Sequence, residues 1–279
     1  MPVKIKCAAL AAMLSVCMAS TGLHAADKTA PKQPSFLILA TTTSVYDTGL
    51  LDKLLPIFKA ETGWTIKPLA VGTGEALRMG EQGEADILVA HAPADEQKFM
   101  TEGKGCLRLQ LMRNFFLIAG PKDDPAGIKG MTDPVEAFKK IAAMKQPFVS
   151  RGDNSGTHKK EKELWAAAGG RPAWDRYVET GAGMSVALNI ADQKNAYILT
   201  DEGTYKNIIK NLKIVPLIEG GDSLTNRYSV IAAKGKNTCG DTPAEKFARF
   251  MLSDKVQAII KTWGVEKQGR PMFIPEKSQ

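Results

Sequence analysis

The chain has 279 residues, 44% of them hydrophobic, and carries 37 Lys and Arg against 30 Asp and Glu, a formal charge of +7 at neutral pH. That is enough apolar material for one large or two small domains. The positive excess is spread out, with no basic cluster interleaved with aromatics, which argues against nucleic acid as a partner.

In chain order the first signal is one of export. Lys4 and Lys6 precede a short apolar run from Cys7 to Ser20, and Ala25 is a small residue before a cut. This is the layout of a secretory signal peptide, too short to span a bilayer as a helix. Residues 1–25 are expected to be removed, which lowers the formal charge from +7 to +5 because Lys4 and Lys6 leave with no acid. Val16 is a poor neighbour for a lipid-anchored Cys17, so the expectation is a periplasmic protein without a lipid anchor, and no later apolar run suggests a membrane span.

Beyond the leader, "SFLILA" reads as a buried strand. "GLLDKLLPIFKAETG" reads as a helix with Leu50, Leu51, Leu54, Leu55 and Phe58 on one face. Pro56 removes the bond to the Asp52 carbonyl, and a kink is expected there. "WTIKPLAV" is a strand, "GTGEALRMGEQG" opens a short helix, and "ADILVA" is another buried strand. Strand–helix alternation of this kind implies a parallel sheet with helices on both faces. The Pro- and Gly-rich "LIAGPKDDPAGIKGMTDP" suggests a crossing to a second lobe. There "QPFVS" is a strand, "SGTHKKEKELWAAAG" and "SVALNIADQKN" are helices, and "AYILT", "LKIVPLI" and "YSVIAAKG" are strands. "TPAEKFARFMLSDKVQAIIKTW" is a late amphipathic helical segment. The expected fold is α/β with two lobes, lobe I from residues 35–115 and 225–279 and lobe II from 116–224.

Cys106 and Cys239 are the two cysteines left after processing, and an oxidising compartment would allow them to pair. If "MRNFFLIAG" and "RYSVIAAKG" pair antiparallel with Phe115 opposite Val230, Cys106 also falls opposite Cys239. Two unrelated buried thiols are the alternative, since sequence does not fix connectivity.

Four junctions are polar or Gly-rich where a helix begins. Thr41, Thr42, Thr43 and Ser44 follow the first strand; Gly72, Thr73 and Gly74 follow the second; Arg151 precedes Ser155, Gly156 and Thr157; and "TGAGMSVAL" leads into a helix at Met184. In an open α/β sheet ligands bind beyond the carboxyl ends of the strands, where helix N-termini present free N–H groups suited to anions. A single cap would explain any one junction; four in two lobes suggest one anion cleft. Enzyme readings lack their motifs. No G-x-S-x-G elbow surrounds Ser155, no P-loop is present, and G-T-G lacks the third glycine of a dinucleotide fingerprint because Leu77 stands there. His91 and His158 each have an acid three or four residues on, short of a metal site. His158, Asp95, Glu96, Asp123 and Asp124 read as solvated.

"ATTTSVYDTGLLDKLLPIFKAETG", "AVGTGEALRMGEQGEADILVAHAP", "GPKDDPAGIKG", "RGDNSGTHKKEKELW" and "GMSVALNIADQKNAYILTDEGTY" together resemble the TupA-type tungstate-binding proteins of ABC importers. The resemblance runs from about residue 35 to 275. It implies a bilobed periplasmic binding-protein fold with two crossover strands, no catalysis, no cofactor and no bound metal other than tungsten in its oxyanion. Tungstate or molybdate would be held by Thr42, Thr43, Ser44, Thr73, Gly74, Arg151, Ser155, Gly156, Thr157 and Met184. A membrane permease is the implied partner of a monomer. Arg113 and Phe115 flank Asn114 where relatives are expected to carry Tyr and Asp, a departure from the family pattern. "RGDNSGTH" also resembles phosphate-binding proteins, where a carboxylate such as Asp153 would accept the ligand's proton. A sensor-like module and a periplasmic hydrolase using Ser155 are the readings from other classes.

Overall fold

The computed structural model describes residues 36–276 apart from 172, 236 and 237. The expected signal peptide lies outside the described residues. Among those residues no helix is long and apolar enough to cross a membrane.

The first half of the sheet is built from β1 (Phe36–Thr42), β2 (Thr65–Val71) and β3 (Ile87–Ala90), all parallel, with β1 in the middle. β1 has neighbours on both edges and helices on both faces, which is why it reads as an unbroken apolar run. β2 is the outer strand and tolerates Pro68, whose missing N–H needs no partner at an edge. β9 (Thr225–Ala233) then pairs antiparallel with β3 on one side and with β4 (Gly105–Gly120) on the other.

α2 (Leu50–Thr62) runs unbroken through Pro56 and buries Leu50, Leu51, Leu54 and Phe58. With α9 (Pro243–Met251) and α10 (Asp254–Thr262) it covers one face of the sheet; the Phe58 and Phe247 rings meet edge-on at 5.0 Å. α3 (Thr73–Gln82) and α4 (Pro93–Thr101) cover the other face through Ala76, Leu77 and Phe99. The late amphipathic segment, expected as one stretch, is two helices. Its chain breaks at Ser253, whose hydroxyl accepts from the Val256 N–H and caps α10.

β4 carries the chain into the second half. Up to Phe115 it pairs with β9; from Phe116 it pairs with β7 (Ile198–Asp201) and from Leu117 with β8 (Val215–Glu219). The crossing is therefore made inside this strand, and the Pro- and Gly-rich segment expected to make it is a loop beyond the strand's end. α5 (Pro134–Ala143) and α6 (Gly156–Ala167) lie on one side around Phe138, Phe148 and Trp165. α7 (Met184–Lys194) and α8 (Glu202–Ile208) lie on the other around Leu188 and Tyr205. β5 (Phe148–Ser150) and β6 (Tyr177–Glu179) pair in parallel beside β7. The result is two α/β lobes, each a sheet between two helical layers, joined by β4 and the return into β9.

Cys106 and Cys239 form a disulfide across 133 residues of sequence. The register that suggested it is wrong: Phe115 faces Thr225, not Val230, and Cys239 lies past the end of β9 in the turn before α9. The bond pins the far end of the β4–β9 ribbon, about seven residues or roughly 23 Å of strand from Asn226. Its reduction is expected to lower stability by about 2–5 kcal/mol through the freed unfolded chain. Urea unfolding with and without reductant measures this, and ligand affinity should stay unchanged.

Candidate functional site

The hydroxyl run does not open the Leu-rich helix directly. Thr43–Tyr46 form one separate helical turn, α1, and α2 starts only after Gly49. This turn puts Thr42 Oγ1 3.1 Å from Ser44 Oγ, and Ser44 Oγ 3.3 Å from Tyr228 Oη on β9. Asn226 Nδ2 donates to Tyr228 Oη at 2.8 Å and to Asn114 Oδ1 at 2.9 Å, and Asn226 Oδ1 is 2.8 Å from His91 Nδ1. Asn114 and Asn226 face one another across β4 and β9. All these side chains are buried. They form a polar seam from the first-strand junction to the end of β3, with the His91 ring stacked on Tyr228 at 4.9 Å.

His91 is where the lobes touch. Its backbone N–H reaches Thr73 Oγ1 at 3.5 Å, while its ring rests against Gly156 of the other lobe. Gly72 lies over Ser155, where a Cβ would be 3.7 Å from its Cα, and a Cβ at Gly74 would come within 2.9 Å of Asn154 Nδ2. A Lys159–Asp95 ion pair adds a bond from α6 to α4. Both G-T-G and S-G-T-H thus sit at the lobe interface, linked through His91 to the hydroxyl run.

Arg151, buried at the end of β5, pairs with the Asp153 carboxylate and donates from Nε to the Ala182 carbonyl at 3.3 Å. The other Asp153 oxygen accepts from the Ser155 N–H at 3.1 Å. Ser155 Oγ caps α6 by accepting from the His158 N–H. Gly183 occupies the corresponding position before α7; Met184 follows it, its side chain packed into the lobe core and its N–H at the helix start. Thr43 is half-buried. Among the described residues, the buried polar atoms without a hydrogen-bond partner include Thr41 Oγ1, Thr157 Oγ1, Asn114 Nδ2, Thr204 Oγ1 and Asp201 Oδ2. Buried polar groups are normally paired, so each of these atoms is available to a further partner.

The electrostatics suit an anion. Burial drives the His91 pKa down to about 4, with Arg151 and Lys159 adding to the effect against the Asn226 bond, so the ring is neutral. Burial likewise raises the Asp201 carboxyl above its ordinary value. A cavity of about 590 Å³ beside His91, Gly156 and Asn226 has Lys159, Lys160, Lys162 and Arg227 in its wall together with Asp95 and Glu163, which pair with Lys159 and Lys160. Among the described residues no group of three or more His, Cys, Asp or Glu could hold a metal ion.

Several residues differ from their sequence reading. His158 is buried, its Nδ1 accepting from the Asn154 N–H as the loop folds back over it. Glu96 is buried because it receives the Ala92 N–H and pairs with Arg108 at 2.7 Å. Asp124 accepts from Tyr197 and from the Lys129 N–H. Arg113 stands opposite Arg227 across β4 and β9. Asn226 and Tyr228 were not singled out; the signal available was a polar Asn inside each of two apolar strands.

One turn along α6, Glu161 is buried against Tyr177 and Trp165, and burial lifts its pKa to about 7. A raised carboxyl stabilises the fold below its unfolded value near 4.5, and that contribution fades as pH rises through 7. The full span amounts to about 3 kcal/mol. Glu161→Gln keeps the acceptor and removes the titration. Urea midpoints should converge near pH 5 and favour the variant at pH 8; parallel pH profiles would refute this. Comparing the two proteins at each pH cancels the opposite contribution of His91, which is lost on acidification from 6.5 to 4.

Two lobes closing on an anion-friendly seam define a solute-binding protein of the periplasmic type. A family model described as a PBP superfamily domain matches residues 22–255. A tungstate-binding protein TupA from Peptoclostridium acidaminophilum is 44% identical over 248 residues, which are 87% of this chain and 86% of the relative. A solved TupA from Desulfovibrio alaskensis G20 is 44% identical with a TM-score of 0.73, covering 87% of this chain and 99% of that one. A crystal structure described as the tungstate ABC transporter from Geobacter sulfurreducens is 40% identical with a TM-score of 0.71, covering 81% and 97%. The chain belongs to the TupA family within the PBP superfamily.

Proposed function

We infer that the chain is the solute-binding component of an ABC importer and carries tungstate, with molybdate as a second substrate, in the cleft between its lobes. Export by residues 1–25 would deliver it to the periplasm as a monomer that docks, when closed, on a membrane permease. In this reading it is a carrier without catalysis or cofactor, with lobes at 35–115 plus 225–279 and at 116–224. Thr42, Thr43, Ser44, Thr73, Ser155 and Thr157 offer hydroxyls, Arg151 a guanidinium, and Gly74, Gly156 and Met184 backbone N–H groups.

The observation that carries this reading is the state of Asp153. Tungstate has no proton near neutral pH and needs donors alone; phosphate keeps a proton and benefits from a free carboxylate. Both oxygens of Asp153 are already engaged, by Arg151 and by the Ser155 N–H. The S-G-T loop is left as a set of donors. Charge-assisted bonds contribute roughly 1.5–3 kcal/mol each. Six or so, after the costs of association, are consistent with about −12 kcal/mol and nanomolar affinity. Because each lobe supplies part of the shell, the ligand favours the closed form.

Calorimetric titration of the mature, ligand-stripped protein tests it. One-to-one tungstate binding in the nanomolar range is expected, with sulfate and phosphate silent. Tight phosphate binding with tungstate silent would overturn the reading, and turnover of a phosphate ester lost in Ser155→Ala would replace it with the hydrolase.

A further inference from the structure

The hydrogen bonds behind the cleft have a direction, and one amide sets it. Asn226 Nδ2 has two hydrogens, both used, on Asn114 Oδ1 and Tyr228 Oη. Its Oδ1 is then an acceptor, and the group it meets is His91 Nδ1 at 2.8 Å. A neutral His91 must therefore carry its proton on Nδ1. Tyr228, having accepted from Asn226, has one proton to pass on, and Ser44 Oγ lies 3.3 Å away. Ser44 gives its own proton either to Thr42 Oγ1 or to the cleft; in the first case Thr42 donates onward. One hydroxyl proton leaves the chain at the cleft either way. Asn114 has accepted at Oδ1, and its Nδ2 is buried with no partner.

Rotating the Asn226 amide by half a turn would reverse all of this. Its oxygen would face Asn114 and Tyr228, both would turn to donate toward it, and Asn114 Oδ1 would be the atom left over. Asn114, Ser44 and Thr42 would then present acceptors to the cleft, while His91, accepting at Nδ1, would carry its proton on Nε2. We propose that Asn226 is the specificity-determining positioning residue of the site: accepting from His91 and donating to Asn114 and Tyr228, it leaves Ser44, Thr42 and Asn114 as donors, which favours an oxyanion without a proton over one that carries a proton.

This rests on the oxyanion reading above and deepens it. The surroundings agree with the direction. Arg151 and Lys159 act on His91 against a second ring proton, outweighing the opposite pull of Asp153. Asp201 pairs with Phe116 on the sheet and so shares a face with Asn114 and Asn226. Its Oδ1 accepts from the Thr204 N–H at 2.8 Å and its Oδ2 has no partner. Burial raises its carboxyl above the ordinary value, a shift toward the protonated form that would lessen repulsion of an anion.

Two measurements decide it. In Asn226→Asp the carboxylate can only accept, so Tyr228 and Asn114 must donate inward. Tungstate affinity should fall about a hundred-fold, phosphate affinity measured by displacement should fall far less, and the tungstate-to-phosphate ratio should shrink at least ten-fold. Asn226→Ala, which breaks the bonds without reversing them, should weaken both ligands in proportion. A proportional loss in the Asp variant as well would overturn the proposal. Nitrogen-15 NMR of the wild-type His91 ring needs no variant: a neutral Nδ1–H tautomer from about pH 5 to 8 is expected, and an Nε2–H tautomer would overturn it. If the wild type bound no tungstate, the functional reading would fail, while the tautomer would still report the direction of the network.

Discussion

Gly156→Val is expected to abolish oxyanion binding, and Gly156→Ala to weaken it about ten- to a hundred-fold, while the unliganded protein stays as stable as the wild type. A Cβ at Gly156 would lie 2.5, 2.6 and 2.7 Å from three atoms of the His91 ring. The ring has no room to withdraw: Asn226 holds its Nδ1, Tyr228 stacks on one side, and Phe116 lies beyond at 6.1 Å. Overpacking against such a fixed group costs about 1–3 kcal/mol for one methyl and more for a branched side chain. On the lobe division proposed above, Gly156 and His91 belong to different lobes, so opening of the cleft would relieve the overlap. Alanine at the first position of α6 is, if anything, a better helix former than glycine. Calorimetry and thermal unfolding of the same samples separate the two effects. Unchanged affinity in both variants would mean that the ligand does not require the Gly156–His91 contact.

How much of this was legible without the structure depends on how local the cause is. β1 and the Leu-rich face of α2 are written in consecutive or helically spaced residues, because burial on two faces or one stripe leaves that trace directly. The junction residues are visible for the same reason, since hydroxyls and glycines at a strand end are a local pattern. The floor of the cleft is not local. Asn114, Asn226 and Tyr228 lie on β4 and β9 and His91 just past the end of β3, and what unites them is the pairing of β3, β9 and β4. The proposed register was five residues out at Phe115, enough to hide that Asn114 faces Asn226. α4 was missed because its first turn, Pro93 to Glu96, reads as a charged loop. Glu96 turns inward only because Arg108 on β4 comes to meet it. The crossing between lobes was sought in Pro and Gly, the usual marks of a linker, yet a continuous strand serves because its two halves bond to different sheets.

Arg151→Ala is expected to cost about a thousand-fold in tungstate affinity, roughly 4 kcal/mol, and the way that loss divides is the more informative result. The guanidinium is buried and acts on both His91 and Asp201, so its charge is felt in a low dielectric where screening is weak. Truncation would remove the cation that the proposed site places near the dianion, and it leaves the Asp153 carboxylate without its partner. Truncating one member of a buried charge pair typically costs about 2–5 kcal/mol, much of it from the charge left behind. It further releases the Ala182 carbonyl and with it the segment that positions the start of α7. Arg151→Lys keeps the charge but not the planar fork that serves Asp153 and Ala182 together, and should fall between, about thirty-fold weaker than the wild type. Removing the stranded carboxylate as well, in Arg151→Ala with Asp153→Asn, should recover about ten-fold of the loss. The two side chains touch, and their effects cannot add. Strict additivity of the single variants would mean that Asp153 never feels the loss of Arg151. The donor-only character of the S-G-T loop would then need another cause.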